Sequence, residues 1–346
     1  MPTPQQAQVW VIDHYLEDGL DGSELRLERR PLPELSEGDV LIKTRLLSLD
    51  ASNLLWLSPK KDYLEQLQIG DPMRGQIIGR IEASRHPDWA EGDHVFSLQT
   101  WADYVVCSGD ALNNDAISFK LSPHPEIPLD AYVGTLGVTG WSAYVGLHHI
   151  GKIGSGKRVL ISGAAGATGI MAAQIAKAAG AKVYGLAGGE KKCQLLMDKL
   201  KLDGAIDYKA TTDLKGEIER VIPDGVEIFF DNVGGEILDA VLPTMSIGGC
   251  IVASGSVSQY GKGEQYGIKN LPLVTTRRLR MEGFLILDYL DQVPTILQEM
   301  ETWFLEGKLI NQNQLIHGLE KAQSALSILA TGGNTGKLAV YIDGDS

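Results

Sequence analysis

The stretch that most limits how this chain can fold is Val159-Leu160-Ile161-Ser162-Gly163-Ala164-Ala165-Gly166-Ala167-Thr168-Gly169-Ile170. Val159, Leu160 and Ile161 read as a buried strand, and the residues from Ala167 onward are rich in alanine, the best helix former. The small residues between them leave a turn with almost no side-chain bulk. A strand, such a turn and a helix, in that order, are the setting of a dinucleotide-binding fingerprint. Against the pattern G-x-G-x-x-G, Ala164 stands at the first position, Gly166 at the second and Gly169 at the third. Gly166 lets the backbone approach a pyrophosphate, and Gly169 lets the helix pack closely on the strand. The helix N-terminus adds N–H groups and the positive end of its dipole. Gly166, Ala167, Thr168 and Gly169 are therefore expected to hold the phosphates of a dinucleotide.

The surroundings of this loop carry the same pattern. Strand-like runs at 158–162, 182–187, 205–208, 226–231, 250–254 and 281–287 alternate with helix-length segments at 167–179, 191–200, 214–221, 237–242 and 271–278. Such alternation predicts a doubly wound parallel sheet. Upstream the texture differs. Short strand-like runs at 40–49, 77–83, 94–98 and 104–107 are punctuated by Ser36-Glu37-Gly38-Asp39, Gly70-Asp71-Pro72 and Glu91-Gly92-Asp93, so this half reads as β-rich and irregular. A length of 346 residues suits two domains. A helical stretch at 292–306 is followed by another at 319–330 and a strand at 337–342.

Charge and cysteine usage exclude several functions. The net charge of -13 argues against a surface that neutralises nucleic-acid phosphates or anionic lipid, because both need concentrated Lys and Arg. Cys107, Cys193 and Cys250 lie far apart and form no C-x-x-C pair, so neither a disulfide framework nor a cysteine zinc cluster is expected. Residues 1–8 are polar, and no stretch approaches the ~20 apolar residues of a membrane span. The expectation is a cytosolic protein. One motif misleads: Gly151 to Lys157 matches the first part of an ATP-binding loop. Arg158 replaces its magnesium-binding hydroxyl, and the segment enters a strand instead of leaving one.

The residues just past the second strand narrow the cofactor. NAD-binding folds place an acid there, about 20 residues past the glycines, to accept the ribose hydroxyls. Here the strand ends in Ala187-Gly188-Gly189, and Lys191 and Lys192 open the next helix. A 2'-phosphate finds room and an ammonium group at that place, which favours NADP(H). Two solvated lysines at a helix start remain the simpler alternative.

Several strings now resemble the zinc-independent medium-chain dehydrogenase/reductases, specifically the alkenal, prostaglandin and curcumin reductase group. They are Gly134-Thr135-Leu136-Gly137-Val138-Thr139-Gly140, the loop 164–169, Phe230-Asp231-Asn232-Val233-Gly234-Gly235, Ser254-Gly255-Ser256-Val257-Ser258-Gln259-Tyr260, Met281-Glu282-Gly283-Phe284 and Asn334-Thr335-Gly336-Lys337. The resemblance implies an α/β fold in two parts. A GroES-like, β-rich catalytic domain spans 1–131 and 313–346, and a Rossmann NADPH-binding domain spans 132–312. It implies that Lys192 and Tyr208 contact the adenosine phosphate end. Asn232, Ser254, Gly255, Ser256, Tyr260, Phe284, Leu285, Ile286 and Asn334 would line the ribose and nicotinamide. Each has a plainer alternative: Asn232 suits a helix cap, Asn334 a turn, and Phe284 sheet core. The family commonly has D-P-Y-M-R after the third strand, whereas this chain has Asp50-Ala51-Ser52-Asn53-Leu54, which leaves its substrate preference open.

The chemistry expected is metal-free. The Cys and His ligands of zinc alcohol dehydrogenases have no counterpart here, and the neighbours His148 and His149 cannot share a helix face. A hydride acceptor without a Lewis acid must already be electrophilic, as an enal or enone is. Hydride adds at its β-carbon and negative charge gathers on the carbonyl oxygen, where a donor stabilises the enolate. Tyr260 is the candidate for that donor, directly or through a ribose hydroxyl; a structural aromatic is the alternative. Trp56, Tyr63, Trp101 and Tyr289 are candidates for an apolar substrate wall. Reduction of enals and enones leads. A quinone oxidoreductase and a non-catalytic NADPH-binding protein are the rivals. The fold also suggests a homodimer joined at the edge strand 281–287.

Overall fold

The computed structural model describes residues 4–16, 19–60, 64–260 and 264–342. It divides into two compact units, Met1–Val133 with Asn313–Asn334 and Leu338–Ser346, and Gly134–Gln312 with Thr335–Lys337.

The first unit begins with β1 (Gln6–Ile12) paired antiparallel to β2 (Leu25–Pro31). It continues through β3 (Asp39–Leu49), α1 (Ser52–Trp56), β4 (Arg74–Ser84), β5 (His94–Thr100), β6 (Tyr104–Ser108), α2 (Gly109–Asn114) and β7 (Phe119–Leu121). Val40, Leu41 and Ile42 of β3 and Ile77, Ile78 and Ile81 of β4 are all buried, which is why these two long strands carry the core of the unit. Leu, Ile and Val fill most of their buried positions, as expected of strands packed on both faces.

In the second unit, α3 (Val138–Val145) passes directly into a π-helical turn, Gly146–Ile150. There follow β8 (Arg158–Ile161), α4 (Ala167–Ala178), β9 (Lys182–Ala187), α5 (Glu190–Asp198), β10 (Gly204–Asp207), α6 (Leu214–Val221), β11 (Val226–Asp231), α7 (Gly235–Val241), β12 (Met245–Ala253), α8 (Pro272–Thr276), β13 (Arg280–Gly283) and α9 (Val293–Leu305). The six strands form one parallel sheet in the order β10-β9-β8-β11-β12-β13. This is the doubly wound order, in which the chain leaves β8 toward one edge and later resumes at β11 toward the other. Ligands bind such sheets at the carboxyl ends of the strands beside that reversal. Leu160, Leu186, Ile206, Phe229, Val241 and Ile251 fill a core beneath it.

The chain then returns to the first unit with β14 (Asn313–His317), α10 (Ala322–Ala330) and β15 (Lys337–Tyr341), giving a sheet of order β14-β15-β3-β4-β5-β7 with β6 also paired to β3. The Trp10 indole donates to Leu319 O at 2.8 Å, tying the returning segment to β1.

Two elements depart from the sequence expectation. The strand expected to run to residue 287 stops at Gly283, because its neighbour β12 ends at Ala253, the partner of Gly283, and no ladder remains to continue. The helix expected at 319–330 starts as a 3-10 turn, Leu319–Lys321, before α10 begins. Among the described residues no helix is long and apolar enough to cross a membrane.

Candidate cofactor site

The loop after β8 is built almost entirely by backbone. Ser162 N donates to Phe230 O at 3.0 Å and Ala164 N to Leu186 O at 3.0 Å, which anchors the turn to the strands on either side. Gly163 adopts φ +57°, and its carbonyl accepts from Gly166 N at 2.9 Å. A Cβ on Gly169 would stand 2.2 Å from Gly163 O and 2.7 Å from Ala164 Cα, so only glycine allows α4 to sit this close to the turn. Gly166 occupies the N-cap with extended backbone and contributes no capping side chain. The first-turn N–H groups of α4 thus face a surface of minimal bulk, the arrangement that suits an anion. The segment Thr335–Lys337 runs alongside, with Gly336 N donating to Ala165 O at 2.8 Å.

At the end of β9, Gly189 takes φ +102° as the N-cap of α5. A Cβ on Gly188 would lie 2.9 Å from both the Tyr208 hydroxyl and Lys209 Cε, so the space over this turn is bounded by those two side chains. The acid missing from the end of β9 appears one strand later, as Asp207 at the end of β10. Its carboxylate is engaged by backbone donors, accepting from Gly189 N at 2.9 Å and Lys209 N at 3.0 Å. Burial lowers the Lys192 pKa, and the ammonium of Lys209 lowers it further. Two cations therefore share this turn. The sequence expectation named Lys192 and Tyr208 and not Lys209; only the return of β10 beside β9 places Lys209 at this turn.

Between β11 and β12 lies a second polar knot. The buried Asp231 carboxylate accepts from Ser162 Oγ at 2.7 Å, Val233 N at 3.0 Å and Gly234 N at 3.0 Å; burial nevertheless raises its pKa. Asn232 does not cap α7, whose N-cap is Gly234. Its amide donates to Ser162 O at 2.8 Å, joining the end of β11 to the phosphate loop. After β12, Ser254 N and Gly255 N both donate to Asp231 O, and Val257 N donates to Asn232 O. Ser258 Oγ donates to Val233 O at 2.6 Å. Tyr260 closes this loop, its hydroxyl accepting from Ser256 N at 3.3 Å. Beyond it, Tyr266 N donates to Gln259 Oε1 at 2.7 Å, and the Tyr266 hydroxyl donates to the buried Asp239 at 2.9 Å.

The structure thus brings Gly166 to Gly169, Asn232 and Ser254 to Tyr260 to the same end of one sheet, with Lys192 and Tyr208 at the neighbouring strand ends. Phe284 follows β13, and its ring tip would lie 3.0 Å from a Cβ on Gly146 with Phe230 beside it, so this ring packs on the π-helical turn. Leu285 is exposed and Ile286 opens a 3-10 turn. Asn334 is buried and belongs to the first unit.

Of the proposed wall residues, the two tryptophans are core of the first unit. Trp101 is completely buried against Gly75, Trp56 is core beneath the Arg74 guanidinium, and Tyr289 belongs to the second unit, where it packs on His149. Tyr63 lies outside the described residues. Asn53, in the segment that departs from the family, is buried, accepting from Asp50 N at 2.7 Å and donating to Arg74 O at 3.3 Å. His148 packs tilted on Tyr144 with ring centroids 4.4 Å apart, and His149 lies 5.4 Å from Tyr289 and 6.5 Å from the same Tyr144 ring. Among the described residues no group of His, Cys, Asp or Glu has the grouping of a metal site.

Comparison with known proteins agrees with this geometry. Residues 8–114 match the model described as the N-terminal domain of oxidoreductase, and residues 167–302 the one described as zinc-binding dehydrogenase. The NADP(+)-dependent 2-alkenal reductase of Nicotiana tabacum is 36% identical over 90% of this chain and 89% of its own length. The NADPH-dependent curcumin reductase of Escherichia coli is 34% identical over 99% of this chain and 98% of its own. The chain belongs to the alkenal and curcumin reductase group of the medium-chain dehydrogenase/reductase family. A solved member, CurA of Vibrio vulnificus in complex with NADPH, superposes with a TM-score of 0.90 at 31% identity, covering 98% of this chain and 100% of that one. Membership explains the shared frame, while the residues of this chain decide whether the cofactor fits. They do: the phosphate loop has no side chain in the way, and the turn after β9 brings the charge of Lys209 near Lys192 while the neighbouring acids are engaged, Asp207 by Gly189 N and Lys209 N and Glu190 by Gln194.

Proposed function

We infer that this NADP-dependent oxidoreductase reduces the C=C bond of α,β-unsaturated aldehydes and ketones. The NADP(+)-dependent 2-alkenal reductase of Nicotiana tabacum and the NADPH-dependent curcumin reductase of Escherichia coli are the relatives that support this reading. Bound NADPH supplies the hydride. The loop 166–169 holds the pyrophosphate by backbone N–H groups, and Lys192 and Tyr208 hold the 2'-phosphate. Asn232 and the segment 254–260 would shape the nicotinamide end, with Phe284, Leu285 and Ile286 contributing to its lining.

The observation that carries the reading is the hydrogen bond at Tyr260. Its phenol oxygen accepts from Ser256 N, so its own proton is left to donate elsewhere, and an N–H donated to a hydroxyl oxygen strengthens that hydroxyl as a donor. Directed at the carbonyl oxygen of an enal or enone, it stabilises charge where an enolate forms. Two copies join at β13, the outermost strand of its sheet, whose Met281 is exposed, and the enzyme works in the cytosol.

The test is steady-state NADPH oxidation by purified protein with 2-alkenals, enones and quinones, and mass analysis of each product. Saturation of C=C with the carbonyl intact supports the reading. Turnover of quinones alone, or NADPH binding without turnover of any acceptor, sinks it.

A further inference from the structure

We propose that Lys209 is a second phosphate-binding residue, which together with Lys192 makes a two-lysine clamp on the cofactor's 2'-phosphate and sets the preference for NADPH over NADH. The clamp rests on NADPH being the cofactor and extends its binding site to a residue on a different strand.

At the turn after β9, Gly188 has no side chain, and the volume a Cβ would occupy is bounded 2.9 Å away by Lys209 Cε and the Tyr208 hydroxyl. Lys209 therefore folds back over the turn that leads into α5. Asp207 fixes that course: one carboxylate oxygen accepts from Gly189 N at 2.9 Å and from Lys209 N at 3.0 Å, tying the start of α5 and the residues after β10 to one atom. Tyr208 N donates to Ala187 O at 3.2 Å, which continues the β9–β10 ladder to the turn. Lys192 lies one turn into α5, and its N–H donates to Gly189 O at 3.1 Å.

Burial lowers the Lys192 pKa and the nearby charge of Lys209 lowers it further, in keeping with the course of Lys209 over the turn. Like charges brought together destabilise the free protein, and a dianion between them removes that cost. A phosphate monoester with two negative charges is the ligand that suits such a pair. Lys209 is itself exposed, so its replacement disturbs no core.

The experiment is equilibrium binding of 2',5'-ADP and 5'-AMP, by calorimetry at fixed ionic strength, to the full-length protein and to Lys209→Gln, Lys209→Arg and Lys192→Ala. A charge-assisted contact to phosphate predicts that Lys209→Gln weakens 2',5'-ADP about ten-fold and leaves 5'-AMP unchanged. Lys209→Arg, which keeps the charge, should retain most of the affinity. If Lys209→Gln binds 2',5'-ADP like the parent while Lys192→Ala does not, the clamp is wrong and the cofactor assignment stands. Equal losses for both nucleotides would make Lys209 a support of the turn and overturn the proposal. If the parent protein itself fails to prefer 2',5'-ADP over 5'-AMP, the cofactor assignment falls and takes the clamp with it.

Discussion

The two loops at the carboxyl ends of β8 and β12 share a main-chain framework and differ in how much side chains add to it. The loop 162–169 is closed by main-chain hydrogen bonds and by the absence of side chains: Gly169 sits where a Cβ would meet Gly163 O at 2.2 Å. The loop 254–260 has main-chain bonds of its own to Asp231 O, Asn232 O and Val233 O and adds side-chain ones, with Ser258 Oγ on Val233 O, Gln259 Oε1 receiving Tyr266 N and the Tyr260 hydroxyl receiving Ser256 N. A surface meant to fit any dinucleotide's phosphates needs only backbone at the correct distance, and backbone geometry tolerates almost no change. A surface meant to deliver a proton needs a particular side chain, and a scaffold of hydrogen bonds can be altered piecemeal.

The contrast breaks most visibly at Gly169. Gly169→Ala forces a methyl against the backbone of the turn, so it should cost about 3 kcal/mol by overpacking and abolish measurable NADPH binding. Denaturant unfolding and NADPH titration check both; a variant that binds normally would mean α4 can withdraw from the turn.

Lys192→Ala comes next. A charge-assisted hydrogen bond contributes about 1.5–3 kcal/mol, so the preference for NADPH over NADH should fall by roughly 10- to 100-fold, read as the ratio of the two Kd values. The binding form is the protonated amine, and burial and Lys209 lower its pKa. Affinity for 2',5'-ADP in the parent protein should therefore fade with rising pH before the ordinary lysine range is reached.

On the side-chain loop, Tyr260→Phe should lower kcat at least about ten-fold, within the 10²- to 10⁴-fold typical of a positioned acid or somewhat below it, with NADPH affinity nearly intact. Equal turnover in the two proteins would remove Tyr260 from the chemistry. The smallest effect is expected at Gln259→Ala, which deletes two hydrogen bonds behind that loop, from Tyr266 N and to Ser258 Oγ. A loss of about 1 kcal/mol corresponds to about a five-fold fall in kcat at most, and stability measured by urea unfolding should hardly change. A collapse of NADPH binding in this variant would show that the two loops are not independent.

The sequence by itself determined the doubly wound sheet and its phosphate loop, because both are written in local pattern. The buried runs of β8, β9 and β11 are continuous in sequence, and the glycines that permit the turn lie within a few residues of one another. It also identified the acid-free end of β9, since a missing carboxylate is legible wherever the strand end is. Tertiary structure decided what depends on residues far apart in the chain. Lys209 reaches Lys192 only because β10 returns beside β9 and Asp207 ties the two ends together. Asn232 serves Ser162 instead of capping α7 because β11 lies next to β8. The strand expected to extend to 287 ends at Gly283 because its length is set by its neighbour, not by its own residues. The aromatic residues chosen as a pocket wall went largely to packing, since an apolar side chain follows whatever surface excludes water and its sequence position does not say which.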